Sequence, residues 1–293
     1  MTSPADVATP YETDQALPAL TALAATRHGE EGRVVRVTLL GPGKGNAMGP
    51  AFWSETPKLF RALSADESVR AIVVTGSGNH FSYGLDLTSF AGTAGATMSD
   101  DGGLARARTR FLYEIREMQT ALDAVAECRK PVAAAISGWC IGGGIDLLAA
   151  CDVRYGSADA KFSIREVKMA IVADMGSLAR LPGILSEGHL RELAFTGRDV
   201  DAAKAERIGL LNDVLPDRDA ALAAAHTFAD EVAANPPLVV QGVKEVLDVN
   251  RAERVAVAQR YVTTWNAAFL PSHDLTEAMT AFLERRAPNF EGR

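Results

Sequence analysis

Short apolar runs alternate with longer stretches of helical spacing until about Pro216, and this alternation constrains the fold more than any other feature. Segments 34–40, 71–75, 132–136, 153–155 and 161–164 read as strands bounded by glycine, proline and polar turns. Between them, 49–63 brings Phe52, Leu59, Phe60 and Leu63 onto one helical face, 104–127 is a long helical stretch ended by Pro131, and 142–150 starts another helix. Strands interleaved with helices imply an α/β core whose sheet is buried by helices. From Asp217 onward the pattern is helical throughout: 217–235, 236–250, 252–268 and 273–286, with Asp217 or Asp219 as a cap and Pro236, Pro237 and Pro271 as punctuation. The expected organisation is a loosely ordered arm at 1–20, an α/β core at 21–216 and a helical region at 217–293.

A chain of 293 residues with 47% hydrophobic and 23% charged residues can bury a core without disulfide or metal staples. Its net charge of -7 argues against nucleic acid, which is bound through clustered Lys and Arg. Cys128, Cys140 and Cys151 form no CxxC and are expected to be buried apolar residues in a reducing compartment. The five histidines show no metal spacing, and no GxSxG elbow is present. No segment is apolar enough for a membrane span. The first thirty residues carry Asp6, Glu12, Asp14 and Glu30, and the chain ends in Glu291-Gly292-Arg293, so the location expected from sequence is cytoplasmic.

The chemistry concentrates between Lys130 and Pro182. A buried strand runs into Gly142-Gly143-Gly144 and a helix follows. The first amides of a helix lack intrahelical acceptors, so a glycine-lined helix start suits an oxyanion, such as a thioester oxygen after loss of an α-proton. The segment Phe81-Ser82-Tyr83-Gly84-Leu85-Asp86 follows another strand and is placed to supply a second donor. Tight strand–helix packing is the plain alternative for such glycines. Asp146, Glu166 and Asp174 all have apolar neighbours, and burial raises a carboxyl toward the range useful for proton transfer. Each also has a structural reading: Asp146 favoured by the helix dipole, Glu166 paired with Arg165 or Lys168, Asp174 capping a short helix at 176–180.

These motifs in this order resemble the crotonase, or enoyl-CoA hydratase/isomerase, family. The matching elements are Lys44-Gly45-Asn46-Ala47-Met48, Ala71-Ile72-Val73-Val74-Thr75-Gly76, Phe81 to Leu87, Lys130-Pro131-Val132-Ala133-Ala134, Gly142 to Leu147, Cys151-Asp152 and Thr196-Gly197-Arg198. The resemblance implies an α/β spiral of ββα units with a helical C-terminal region used in a homotrimer or dimer of trimers. It implies an acyl-CoA thioester as substrate, an oxyanion held by the amides of Leu85 and Gly143, and no metal or other cofactor. Hydratases of the family carry two glutamates, where this chain has Asp146 and Glu166, and a glycine where it has Asp174. The set Asp146, Glu166 and Asp174, with Ala173 to Leu178 and Thr264-Trp265-Asn266, instead resembles the Δ3,5-Δ2,4-dienoyl-CoA isomerases.

The expected activity is therefore a shift of conjugated double bonds in a 3,5-dienoyl-CoA to the 2,4-isomer. Glu166 is expected to be the base at carbon 2, Asp174 the acid at carbon 6, and Asp146 the group that orients or tunes them. Competing readings are an enoyl-CoA hydratase, a non-catalytic acyl-CoA-binding protein of the same fold, and the same chemistry on an unusual acyl group. Lys44 and Arg285 are candidate CoA contacts. Trp265 and Phe269, at i and i+4, are expected in the core or a subunit contact, with an acyl tunnel as the alternative, and 88–105 reads as a loop beside the pocket.

Overall fold

In the computed structural model, residues 9–12, 19–29, 31–90 and 103–293 are described; the rest of the N-terminal arm, most of the 88–105 loop and the side chain of Lys44 lie outside them. Seven strands form the main sheet: β1 (Thr9–Pro10), β2 (Leu23–His28), β3 (Val34–Leu39), β4 (Ala71–Gly76), β5 (Val132–Ile136), β7 (Val153–Ser157) and β10 (Asp213–Leu215), hydrogen-bonded in that order. Within it β3, β4, β5, β7 and β10 run parallel, with Val73 of β4 facing Arg36 and Ala133, whereas β2 pairs antiparallel with both β1 and β3. Every residue of β4 and β5 is buried, as expected for parallel strands covered on both faces. A second sheet joins β6 (Trp139–Ile141), β8 (Lys161–Ser163) and β9 (Val200–Asp201).

One face of the main sheet is covered by the helix Arg218–Ala234, whose Ala225, Ala229 and Ala233 lie against Val34, Val73 and Ala133. Alanine on both surfaces lets helix and sheet approach closely. Asp217 caps this helix, accepting from the Ala220 amide at 2.8 Å. The opposite face carries the larger apolar core, including Phe60, Leu63, Ile72, Leu122 and Leu148, between the sheet and the helices Pro50–Ala65, Leu104–Ala126 and Gly143–Ala150. All three cysteines are free and buried. No helix among the described residues is long and apolar enough to cross a membrane.

The expected break near residue 251 is absent, and one helix spans Pro237–Phe269. Neither glycine nor proline interrupts it there, and an Asp248–Arg251 ion pair at 2.9 Å staples the junction one turn apart. Its first part is fixed by buried Lys244, which donates to Asp152 Oδ2 at 2.7 Å while the same oxygen accepts from the Val132 amide. The Cys151-Asp152 motif thus ties the long helix to the start of β5. We expect Asp152→Ala, which strands a buried ammonium, to lower stability by about 3 kcal/mol in denaturant titration; a loss under 1 kcal/mol would count against this anchor.

The Asn46 turn organises the edge of the site. Asn46 is buried in a left-handed conformation (φ 46°), and its Nδ2 donates to the carbonyls of Ser77, His80 and Phe81 at 2.9, 2.8 and 3.1 Å. Ser77 and Ser82 hydroxyls return bonds to its Oδ1 and carbonyl. The next residues then bridge Met48 to Leu85, and Ser82 to Cys140 of β6.

Candidate active site

Leu85 and Gly143 are brought together by a close crossing of two backbones. Gly84 has φ +80°, and a Cβ there would stand 2.5 Å from the Gly143 nitrogen and 2.7 Å from the Ile141 carbonyl oxygen. Only glycine permits that conformation and that approach. The Leu85 nitrogen in turn lies 3.5 Å from the position a Cβ on Gly143 would take. The Ile141 amide donates to the Ser82 carbonyl across this crossing, Met48 bonds Gly84 and Asp86 on its other side, and neither the Leu85 nor the Gly143 amide donates to a carbonyl within the described chain. Gly143 opens its helix, so its amide carries the partial positive charge of a helix start.

A cavity of about 420 Å³ opens at this point, and its wall includes Leu85, Gly143, Asp146, Glu166 and Asp174. The sequence had separated these five residues widely; the fold gathers them. The remaining wall is largely apolar, with Trp53, Phe111, Ile115, Met118, Ile171 and Leu270 prominent.

Asp146 is buried in the first turn of the Gly143–Ala150 helix, yet its Oδ1 accepts from the Ser177 amide of another segment rather than capping its own helix. Burial pushes its carboxyl above the ordinary value, while the Ser177 bond and the Arg180 guanidinium pull it back. Glu166 begins a short 3-10 turn, Glu166–Met169, and its Oε2 is a buried oxygen with no hydrogen-bond partner among the described residues. Arg165 is engaged with Asp199 instead, so it does not form the expected surface pair with Glu166. Burial raises Glu166 well above the usual carboxylate range, and the negative charges of Asp146 and Asp174 add to it. Its Oε1 lies 3.6 Å from where a Cβ on Gly142 would stand, beside the Leu85–Gly143 amides.

Asp174 does not cap the helix Ser177–Arg180. Its Oδ2 accepts from Asn266 Nδ2 at 2.6 Å, and the same amide group donates to the Val172 carbonyl at 2.8 Å. Gln119 Nε2 donates to the Asp174 carbonyl at 2.7 Å and to Thr263 at 3.0 Å. Burial pushes Asp174 up to about 7, with Asn266 opposing and Asp146 reinforcing the rise. Three carboxyls this close titrate as a set, and they do not all ionise at neutral pH.

Gln119 and Thr263 were not foreseen, because only the crossing of helices Leu104–Ala126 and Pro237–Phe269 brings them to Asp174. Arg285 is exposed at the left-handed end of the helix His273–Glu284 and lies outside the cavity wall, although Phe282, three residues earlier, is part of it. Trp265 and Phe269 also lie outside that wall; with Tyr261 they form an exposed aromatic ladder, with ring centroids 6.4 and 4.8 Å apart. They are therefore not core residues. Among the described residues no group of three or more His, Cys, Asp or Glu side chains is arranged to hold a metal ion.

The enoyl-CoA hydratase/isomerase family model matches residues 29–293. The chain belongs to this family. The peroxisomal Δ(3,5)-Δ(2,4)-dienoyl-CoA isomerase of Arabidopsis thaliana is 40% identical over 265 residues, covering 90% of this chain and 95% of that protein. The mitochondrial enzyme of the same name from Dictyostelium discoideum is 39% identical, covering 88% and 87%. A probable enoyl-CoA hydratase of Rhizobium meliloti is 32% identical, covering 90% and 96%. Among solved structures, an enoyl-CoA hydratase/isomerase from Pseudoalteromonas atlantica T6c superposes with a TM-score of 0.78 at 25% identity, covering 92% of this chain and all of that one. The fold is thus the crotonase α/β spiral with a helical C-terminal region. The cytoplasmic expectation is overturned, because the isomerase relatives are peroxisomal or mitochondrial. Location is set by receptor-read addresses, and bulk charge near a terminus was a poor guide to it.

Proposed function

We propose that this chain is a Δ3,5-Δ2,4-dienoyl-CoA isomerase that moves a proton from carbon 2 to carbon 6 of its substrate with two carboxyls. The observation that carries the reading is the separate anchoring of Glu166 and Asp174 on one cavity wall. Glu166 abuts Gly142, next to the amides of Leu85 and Gly143. Asp174 is held by Asn266 from the long helix, and its neighbour Met175 joins the apolar cluster of Phe111, Ile115 and Leu270. A thioester whose oxygen accepts from Leu85 and Gly143 brings carbon 2 to Glu166 and leaves the more distant carbon 6 for Asp174.

In the forward step the Glu166 carboxylate takes the carbon 2 proton, and the electrons delocalise onto the thioester oxygen as a dienolate. Two amides aimed at that oxygen stabilise the charge where it develops. Collapse of the dienolate draws the Asp174 proton to carbon 6, so one proton leaves, one arrives, and the product is an isomer. Asp146 sits with both carboxyls and sets their protonation. A hydratase reading uses Asp146 and Glu166 around a water; it gives no task to a buried, clamped Asp174. Lys44 and Arg285 are proposed to meet the CoA phosphates, and the chain is proposed to assemble as a trimer or dimer of trimers through its helical C-terminal region. The exposed Tyr261–Trp265–Phe269 ladder suits such a contact. The proposed reaction itself needs no cofactor beyond the CoA of the substrate.

Separate cuvettes of 3,5-dienoyl-CoA and crotonyl-CoA test the reading. The expected result is rapid growth of a conjugated 2,4-dienoyl absorbance in the first and little loss of enoyl absorbance in the second. Fast hydration of crotonyl-CoA without dienoyl conversion would replace it by the hydratase. The Asn266 bond favours ionised Asp174, so Asn266→Ala should raise the Asp174 carboxyl above about 7. An acid works below its pKa, so the basic limb of the kcat/KM profile should move to higher pH; a limb that stays in place would detach it from Asp174.

A further inference from the structure

Arg180 is only 3% exposed, and its position is peculiar for a side chain so costly to bury. Its Nη2 pairs with Asp123, which also accepts from Gln259 Nε2 at 2.9 Å, but its Nη1 is buried with no partner among the described residues. The guanidinium folds back over the start of its own short helix. A Cβ on Gly176 would stand 1.9 Å from Nη1, and Gly176 has φ +132°, so the absence of a side chain there makes the room. The next residue, Ser177, gives its amide to Asp146. Arg180 and Asp146 are thus joined through one tight turn, with the spare guanidinium nitrogen packed over Gly176.

We propose that Arg180 is a positioning residue: its buried guanidinium holds Asp146 as a carboxylate docked on the Ser177 amide, and so sets the pH range in which Glu166 acts as base. This rests on the function proposed above. The charged and titratable groups around the arrangement fall into two sets. Asp146 faces Glu166 from the 3-10 turn, Asp174 from the segment before the short helix, and Cys140 from β6. Arg180 faces Asp123 and Glu127 from the end of the Leu104–Ala126 helix, with Arg61 beside Glu127. Its cationic field pulls the Asp146 carboxyl down against burial. Without it, Asp146 would take up a proton more readily, and Glu166, relieved of that neighbouring negative charge, would ionise at lower pH.

The test is the pH dependence of kcat/KM for dienoyl-CoA conversion. Removing the cation raises Asp146, and a protonated Asp146 no longer holds Glu166 up, so Arg180→Gln should move the acidic limb to lower pH by about one unit or more. Arg180→Lys, which keeps the charge, should restore most of the wild-type limb. Asp123→Asn frees the guanidinium from its counter-ion and should move the limb the other way, to higher pH. Loss of a merely structural clamp would depress the rate evenly and leave the limbs where they are; that outcome overturns the proposal. If Arg180→Gln does not fold, Asp123→Asn decides alone, and an unmoved limb in it is equally fatal. Wild-type protein that fails to convert dienoyl-CoA indicts the proposed function instead, whereas wild-type turnover with immobile limbs indicts only Arg180.

Discussion

Asp174→Asn is expected to lower kcat for dienoyl-CoA conversion by about 10²–10⁴-fold, the usual loss when a positioned acid is removed. The substitution preserves shape, and the new side-chain oxygen can still accept from Asn266, so the clamp at 2.6 Å survives in outline. Stability should change in the opposite sense. The Asp174 carboxyl is raised from an ordinary 3.8 to about 7 in the folded chain. Between those values the unfolded chain has already ionised while the folded one keeps its proton, so rising pH favours unfolding. The cost is absent below the lower value, grows through the interval and stays in full above the upper one. Its ceiling is about 4 kcal/mol. Asparagine cannot ionise, so at pH 8 the variant should melt higher than wild type, and near pH 4 the two should converge. A variant less active but no more stable at pH 8 would mean that Asp174 is not held in an unfavourable site.

Gly84→Ala attacks the other half of the chemistry. The new methyl would stand 2.5 Å from the Gly143 nitrogen and 2.7 Å from the Ile141 carbonyl oxygen, on backbone held at φ +80°. Backbone atoms on both sides leave no flexible neighbour to yield, so the Leu85 and Gly143 amides must spread. Loss of one oxyanion donor costs on the order of 10²–10³ in kcat. We expect a fall of that size in kcat, with the carboxyl pH limbs unmoved because no carboxyl is touched. A near-normal rate would show that the two amides do not share the thioester oxygen.

The parallel sheet was legible because β4 and β5 are apolar on both faces and end in glycine-rich turns. β2 was not, since Leu23–His28 alternates weakly and gains its order by pairing with β3. The two- and three-residue strands β6, β9 and β10 were equally hidden, because tertiary pairing and not local propensity makes them. At the site, Asp146, Glu166 and Asp174 announced themselves as acids among apolar neighbours. Asn266 was visible only as part of a resemblance, and its bond to Asp174 spans 92 positions of sequence. Arg180 gave no signal at all. An arginine in a short helix looks like solvated surface until the fold buries it against a glycine.

The division of labour between two carboxyls is tested most directly by hydrogen exchange at carbon 2. Substrate analogues incubated in deuterated water with Asp174→Asn should exchange the carbon 2 hydrogen while no 2,4-dienoyl product accumulates. With Glu166→Gln that exchange should disappear along with turnover. Loss of carbon 2 exchange in the Asp174 variant, or its persistence in the Glu166 variant, would contradict the assignment of separate carbons to the two acids.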